Sequence, residues 1–241
     1  MVFDIAGSLE RIAAARNKAD LSVALGMVTS ALGFEWYALD ILVTLDGANS
    51  TLVATNYPAL WMRRYVEQRY TRDDIVVSHA LGSVKPARWG GPGVLPNTTA
   101  KQRAILDEAA EAGLRSGAVI PVHGPGPAKS VLAVASRLCD QEFASLFALQ
   151  EHRLQLIAAY AIECASNLGI GKLATSFALS PREVEILTRT ALGDSANDIA
   201  DLLSISQHTV VQHLENCRRK LDARNKTHAA AIAIAYGIVR L

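Results

Sequence analysis

The sequence predicts an α+β protein in two parts: an N-terminal α/β/α sandwich on an antiparallel sheet, and a C-terminal all-α domain of four helices. Three observations predict it. Through residue 167 the patterns run helices, strands, helix, strands, helix. The stretch LGIGKLATSF, residues 168–177, then breaks periodicity with two glycines and small residues. Beyond it strand signals stop and every periodic segment is helical. The expected organisation is a first domain over 1–167, a linker over 168–177 and a second domain over 178–241.

The elements follow in order. Asp4 to Leu32 carries apolar residues three and four apart and reads as helical. Phe34 to Val43 is rich in β-formers, and Asp46-Gly47 suggests a turn into a second strand, Thr51 to Thr55. Pro58 to Arg69 is helical. Arg88 to Asn97, with its glycines and prolines, reads as a loop. Thr98 or Thr99 then caps a helix through about Ala112. Ala118 to Val122 and Ser130 to Ser136 form a hairpin around Gly124 to Pro127, and a long helix runs from about Gln141 to Asn167.

In the second part Ser180-Pro181-Arg182-Glu183 opens a helix. Ser180 and Glu183 can exchange side-chain-to-backbone bonds, and Pro181 sits where a missing N–H is harmless. Gly193 ends that helix. Ser195 to Asp198 opens a second helix, and Ser206 caps a third after the short turn Ser204-Ile205-Ser206. Two helices joined by so tight a turn make a helix-turn-helix. Val210, Leu214, Cys217 and Leu221 form the inward stripe of the third helix. Thr209, Val211, Gln212, Glu215, Arg218 and Arg219 then face outward. In such a unit Gln207, Thr209 and Gln212 can reach bases or phosphates, while Arg218, Arg219, Lys220, Arg224 and Lys226 suit phosphates. Cations placed to suit the helix dipole give the same pattern, but the two capped helices before them favour the DNA reading. A last helix spans about Thr227 to Val239, with Ala230, Ile234 and Ile238 on one side. That side suits either pairing with a second copy or packing on its own domain.

Composition narrows the function. Half of the 241 residues are hydrophobic, enough for a sizeable core. A net charge of +1 excludes a uniformly basic surface, so DNA contact must come from local clusters. Cys139, Cys164 and Cys217 have no metal-ligand spacing and read as core residues with reduced thiols. MVFDIAGSLERI lacks the pattern of a signal peptide, and the longest apolar runs are too short to span a bilayer. A soluble, cytoplasmic protein with no membrane contact is expected. No metal or cofactor is expected. His79, His123 and His152 stand in no nucleophile or metal spacing, and G-x-S-x-G is absent. An enzyme, such as an acyl-lactone hydrolase, is therefore disfavoured. A phosphorylated receiver is also disfavoured, because the first part lacks alternating strands and helices.

Tyr57, Trp61 and Tyr65 recur every four residues, which puts Trp61 and Tyr65 on one helix face. That spacing alone is also the spacing of core packing. These side chains nonetheless bring polar tips that need partners when buried. Asp74 directly precedes the apolar run Ile75-Val76-Val77, where a carboxylate is expensive to bury without donors. Asp73 is the alternative acid, and it reads more readily as a solvated neighbour.

The C-terminal run L-S-P-R-E-x-E-I-L, then Gly193, D-I-A-x-x-L, S-x-x-T-V-x-x-H-L and K-L resembles the DNA-binding domain of LuxR-type transcription factors. Glu183, Leu187 and Gly193 are that family's signature positions. Val211 and Glu215 fall where some relatives carry arginine, so the DNA sequence read does not carry over. A glutamate such as Glu215 can accept from a cytosine amino group. The frame Y-x-x-x-W-x-x-x-Y, Asp74, Trp89 and Gly117 is similar to the family's autoinducer-binding domain. The resemblance implies a quorum-sensing regulator that binds an N-acyl homoserine lactone. It also implies a homodimer on an inverted repeat of double-stranded DNA, with RNA polymerase as a possible partner. Trp61 would donate to the lactone carbonyl, Tyr57 to the acyl carbonyl, and Asp74 would accept the amide N–H. Tyr65, Val76, Trp89 and Ala133 would line the pocket. Ala133 stands where many relatives have Ser or Thr, which implies a simple, branched or aryl acyl chain without a 3-oxo group. A relative that answers a different small molecule, or none, is the alternative.

Overall fold

The computed structural model describes residues 3–43, 49–91, 98–123, 129–170, 178–235 and 237–239. They fall into two compact units, over 3–170 and 178–239. The turns expected at Asp46-Gly47 and Gly124–Pro127, and residues 171–177 of the expected linker, lie outside the described residues.

The first unit opens with α1 (Ile5–Ala13) and α2 (Lys18–Ala31). The continuous helical pattern from Asp4 to Leu32 divides because Asn17 caps a new helix, its side chain accepting from the Asp20 N–H. Strands β1 (Trp36–Val43) and β2 (Asn49–Thr55) follow, then α3 (Ala59–Glu67). The helix expected to reach Arg69 stops two residues early, since Arg69 itself is left-handed at φ 54°. After a 3₁₀ turn at Tyr70–Arg72 comes α4 (Ile75–Gly82), a helix the periodicity left unassigned. Its apolar residues lie all round a short helix rather than in a stripe, and the N-cap at Asp74 is what starts it. Strand β3 (Ala87–Trp89) then enters the stretch expected to be loop, because its backbone pairs with β4. Helix α5 (Ala100–Glu111), strands β4 (Ser116–His123) and β5 (Lys129–Ser136), and α6 (Asp140–Asn167) complete the unit. Thr99 and Gln102 form the capping box of α5.

The sheet is antiparallel in the order β2-β1-β5-β4-β3. Alternation assigns its two faces. Tyr37, Leu39, Leu132, Val134, Ala118 and Ile120 are buried on one face, where α2 packs on β1 and α6 on β4 and β5. Trp36, Ala38 and Leu42 of β1, Val119 of β4 and Val131, Ala133 and Ala135 of β5 share the other face. There they meet Trp61 of α3, Ala80 of α4 and Ile105 and Ala109 of α5. The register sets Ala38 opposite Ala133 and Asp40 opposite Val131, which leaves a shallow floor of small side chains.

Close approach requires glycine at position 117. Gly117 pairs with Trp89 across β3 and β4, and a Cβ on Gly117 would lie 2.0 Å from Trp89 Cζ2. The indole therefore lies against bare backbone.

The second unit is all α: α7 (Pro181–Leu192), α8 (Ala196–Leu203), α9 (Gln207–Lys220) and α10 (Lys226–Ala235). Ser180 and Ser195 both form capping boxes, with Glu183 and Asp198, and Ser206 caps α9. Gly193 and Ser204 close α7 and α8 in the left-handed conformation. Ile186, Ile199, Ala200, Val210 and Leu214 form one core between α7, α8 and α9. Leu187, Cys217, Leu221, Ala229, Ala230 and Ala233 form a second beneath α10. Ala230 is buried there and Ile238 packs at its edge, whereas Ile234 is exposed. The expected apolar side of the last helix is thus divided between core and surface.

Replacing Gly117 with Ala should lower stability by about 1–3 kcal/mol, the usual penalty of overpacking, despite alanine's better strand propensity. Chemical denaturation of the full-length protein measures this, and an unchanged midpoint contradicts the close approach.

Candidate functional site

A cavity of about 110 Å³ lies between the sheet and helices α3, α4 and α5. That is several times the room one water needs. All seven residues singled out in the sequence, Tyr57, Trp61, Tyr65, Asp74, Val76, Trp89 and Ala133, line it. Four segments bring them together. Tyr57 precedes α3, which carries Trp61 and Tyr65 one turn apart. Asp74 and Val76 open α4, Trp89 ends β3, and Ala133 lies on β5.

The sequence reading missed Ala38 and Asp40 of β1, Leu52 of β2, Met62, Val77, Ile105, Leu106, Ala109, Leu114 and Val131. Most are ordinary apolar residues, which single themselves out by no local signal. Ala38 and Asp40 could have been found by parity, since they share a strand face with Trp36 and Leu42.

The polar groups of the cavity have distinct roles. Asp74 is buried. Its Oδ2 accepts from the Tyr65 hydroxyl at 2.7 Å and its Oδ1 from the Val76 N–H at 2.8 Å. Tyr65, expected only as a wall, therefore also supports the acid. Burial pushes the Asp74 carboxyl above its ordinary range, and bonds from Tyr65, Val76 and Val77 offset only part of that. Burial, reinforced by the charge of Asp74, also raises the Tyr57 and Tyr65 phenols, so both remain protonated donors. The Tyr57 hydroxyl and the Trp61 Nε1–H line the cavity with no hydrogen bond to another described residue. Trp61, Tyr65 and Tyr70 pack edge-on or tilted, with centroids 5.7–6.1 Å apart, which holds the Trp61 indole in place. Outside this cluster Arg64 clasps Glu108 of α5 through two bonds, at 2.5 and 3.0 Å, and Tyr70 donates to the same carboxylate. Asp73 pairs with Lys101 at 2.7 Å and does not line the cavity. Such an arrangement can take an uncharged molecule with carbonyls facing Tyr57 and Trp61 and an N–H facing Asp74.

In the second unit the outward face of α9 presents Gln207, Val211, Gln212 and Arg219 to solvent, with Val211 51% exposed. Arg219 also donates to Asn216 Oδ1 at 2.5 Å. Four other expected contact residues, Thr209, Glu215, Arg218 and Lys220, have partners within the unit. The Thr209 hydroxyl hydrogen-bonds Ser206 at 2.8 Å within the cap. The Arg218 guanidinium grips Glu215, at 2.6 Å from Nη2 to Oε1, and also donates to the Ala223 carbonyl. Glu215 is thus already paired with a cation. The Lys220 ammonium binds Glu183 Oε2 at 2.8 Å and the Ala178 carbonyl at 2.9 Å. The Glu183 side chain is only 4% accessible and takes Lys220, which stays 38% accessible, as its counter-ion. Burial pushes the Glu183 carboxyl up, yet the bonds from Lys220 and Ser180 outweigh it and hold the group below its ordinary value.

Residues 17–165 match the autoinducer binding domain family, and residues 178–233 match the bacterial regulatory proteins of the luxR family. The chain belongs to the LuxR-type quorum-sensing regulators. The HTH-type quorum-sensing regulator RhlR of Pseudomonas aeruginosa is 36% identical over 218 residues, covering 86% of this chain and 85% of RhlR. The quorum-sensing-dependent regulator RpaR of Rhodopseudomonas palustris is 32% identical over 213 residues, covering 87% of this chain and 84% of RpaR. Escherichia coli SdiA shares the fold, with a TM-score of 0.79 at 22% identity over 98% of each chain. The protein is thus a DNA-binding transcription regulator with an autoinducer-binding domain, and not an enzyme. Among the described residues no helix is long and apolar enough to cross a membrane.

A folded state that raises the Asp74 pKa binds its proton more tightly than the unfolded chain. Stability conferred by this group is therefore lost as pH rises from the ordinary carboxylate value through the raised one. Asp74→Asn keeps a capping oxygen and removes the buried charge. The ligand-free variant should melt at or above the wild-type temperature at pH 7, and a fall of several degrees contradicts this. Lys220→Ala should destabilise the second unit by about 1–2 kcal/mol by leaving Glu183 short of a donor. Arg219→Ala should instead weaken DNA binding and reduce its salt slope by about 1 without changing the melt. Calorimetry paired with DNA titration separates the two, and an unaltered melt of Lys220→Ala contradicts its assignment.

Proposed function

We propose that the cavity binds an N-acyl homoserine lactone without a 3-oxo group, and that the loaded protein binds an inverted-repeat operator as a homodimer. The observation that carries the reading is the polar set in the cavity. Two phenol or indole donors face it without a bond to another described residue, beside a buried carboxylate with capacity for a further donor. An acyl homoserine lactone has two carbonyl acceptors and one amide donor, which answer that set one for one. Trp61 donates to the lactone carbonyl, Tyr57 to the acyl carbonyl, and Asp74 accepts the amide N–H. Tyr65 holds Asp74 and, with Val76 and Trp89, walls the ligand. Ala133 offers no hydroxyl to support a 3-oxo group.

Residues 1–167 act as the sensor, 168–177 as the linker and 178–241 as the DNA reader. A ligand that binds only the folded sensor stabilises it by mass action, by about 2.7 kcal/mol at a hundredfold excess over Kd. The protein acts in the cytoplasm, where α9 enters the major groove with Gln207, Val211 and Gln212 toward the bases. Arg219 and Arg224 lie toward phosphates. The exposed Ile234 side of α10 is offered to a second copy, and the DNA-bound dimer to RNA polymerase.

The test is expression and purification of the full-length protein with a panel of acyl homoserine lactones and a non-lactone amphiphile. A lactone should raise soluble yield and melting temperature, and Trp61→Phe or Tyr57→Phe should weaken that response about tenfold or more. Equal stabilisation by the non-lactone amphiphile, or unchanged responses in both variants, defeats the reading.

A further inference from the structure

The proposed lactone accounts for Tyr57, Trp61 and Asp74 but leaves one polar residue of the cavity unused. Asp40 lies on the cavity face of β1, in a stripe that otherwise reads Trp36, Ala38 and Leu42. It stands opposite Val131 of β5, beside the small Ala38–Ala133 pair. The β1–β2 register shifts between Leu39 and Asp40, and such an irregularity re-aims the side chain at its own position. The charges of Asp74 and Asp40 both bear on the Tyr65 hydroxyl, so the two acids share one polar region of the cavity. No lysine, arginine, histidine, serine, threonine, asparagine or glutamine is among the described residues that line it.

An ionised carboxylate only accepts hydrogen bonds, and it has about four lone-pair sites. Asp40 already takes part in interactions within the fold, and a carboxylate with partners can still accept from a further donor. A bare methylene chain over Asp40 would remove water from the carboxylate and offer it no further donor. A ketone oxygen would set acceptor against acceptor. A hydroxyl could donate.

We propose that Asp40 is a specificity-determining residue that selects a lactone whose acyl chain carries a hydroxyl group, over one that is unsubstituted or carries a ketone. This rests on the acyl homoserine lactone reading above and narrows it.

The test uses the full-length protein and four lactones of one chain length: unsubstituted, 3-oxo, 3-hydroxy and chain-terminal hydroxy. Affinities come from ligand-dependent melting shifts and competition. One of the hydroxylated lactones should bind about tenfold more tightly than the unsubstituted one. Asp40→Leu should abolish that advantage while the unsubstituted lactone binds as well or better. Asp40→Asn, nearly isosteric and able to donate, should raise the affinity for the 3-oxo form relative to the hydroxyl forms, and it carries the test if Asp40→Leu does not fold. The proposal is overturned if the bare or ketone chain outbinds both hydroxyl forms, or if the hydroxyl advantage survives substitution of Asp40. Lactone binding without hydroxyl preference defeats this inference alone, whereas absence of any lactone binding defeats the underlying reading too.

Discussion

The burial of Asp74 is the constraint around which the first unit is arranged. A carboxylate at the floor of an apolar cavity is tolerable only if donors converge on it. The Val76 N–H can do so because Asp74 is the N-cap of α4, where the first backbone donors are otherwise unmet. The Tyr65 hydroxyl can do so because α3 ends one left-handed residue before the 3₁₀ turn, which brings α4 back beneath it. The same reversal carries Tyr70 against Trp61 and Tyr65, so the aromatic packing that holds Trp61 depends on it as well. The acid, its donor, its cap and its aromatic wall form one unit, and a change to any of them alters the cavity.

The remaining wall is set by absence of bulk. Gly117 lets the Trp89 indole lie on the backbone of β4, and the Ala38–Ala133 pair keeps the strand floor low. Tightly packed interiors leave few voids larger than a water, so a cavity of this size beside a sheet needs such small residues. The clasp of Arg64 and Tyr70 on Glu108 ties α3 and its following turn to α5 across the cavity. It holds the Glu108 carboxyl down at about 2, mainly through the Arg64 bond, so the clasp stays charged throughout the physiological range.

The second unit works by another economy of charge. Glu183 serves at once as capping residue for Ser180 and as counter-ion for Lys220, which fastens the start of α7 to the end of α9. That tie holds α9 against α7 and gives one of its terminal cations a carboxylate partner. Arg218 is likewise committed to Glu215 and the chain after α9. Of the three consecutive cations, Arg218 and Lys220 are paired with carboxylates, whereas Arg219 is exposed and bonds only the neutral Asn216 among the described residues.

Much of this was legible in the sequence because it depends on neighbours within four residues. The capping box at Ser180, the helix start at Ser195, the stop at Gly193, the inward stripe of α9 and the one-turn spacing of Trp61 and Tyr65 are all local and appear as read. Elements whose cause is non-local were not. Strand β3 exists only because β4 lies beside it, and α4 starts from a cap rather than from periodicity. Asp40 and the apolar floor join Tyr57 and Asp74 only when distant strands close over α3 to α5. The Lys220–Glu183 pair was not legible for the same reason: the partners are 37 residues apart. Short-range hydrogen bonding and periodicity thus determined the elements, while burial, which needs contacts far apart in the chain, decided which polar groups face the cavity and which are consumed in holding the fold.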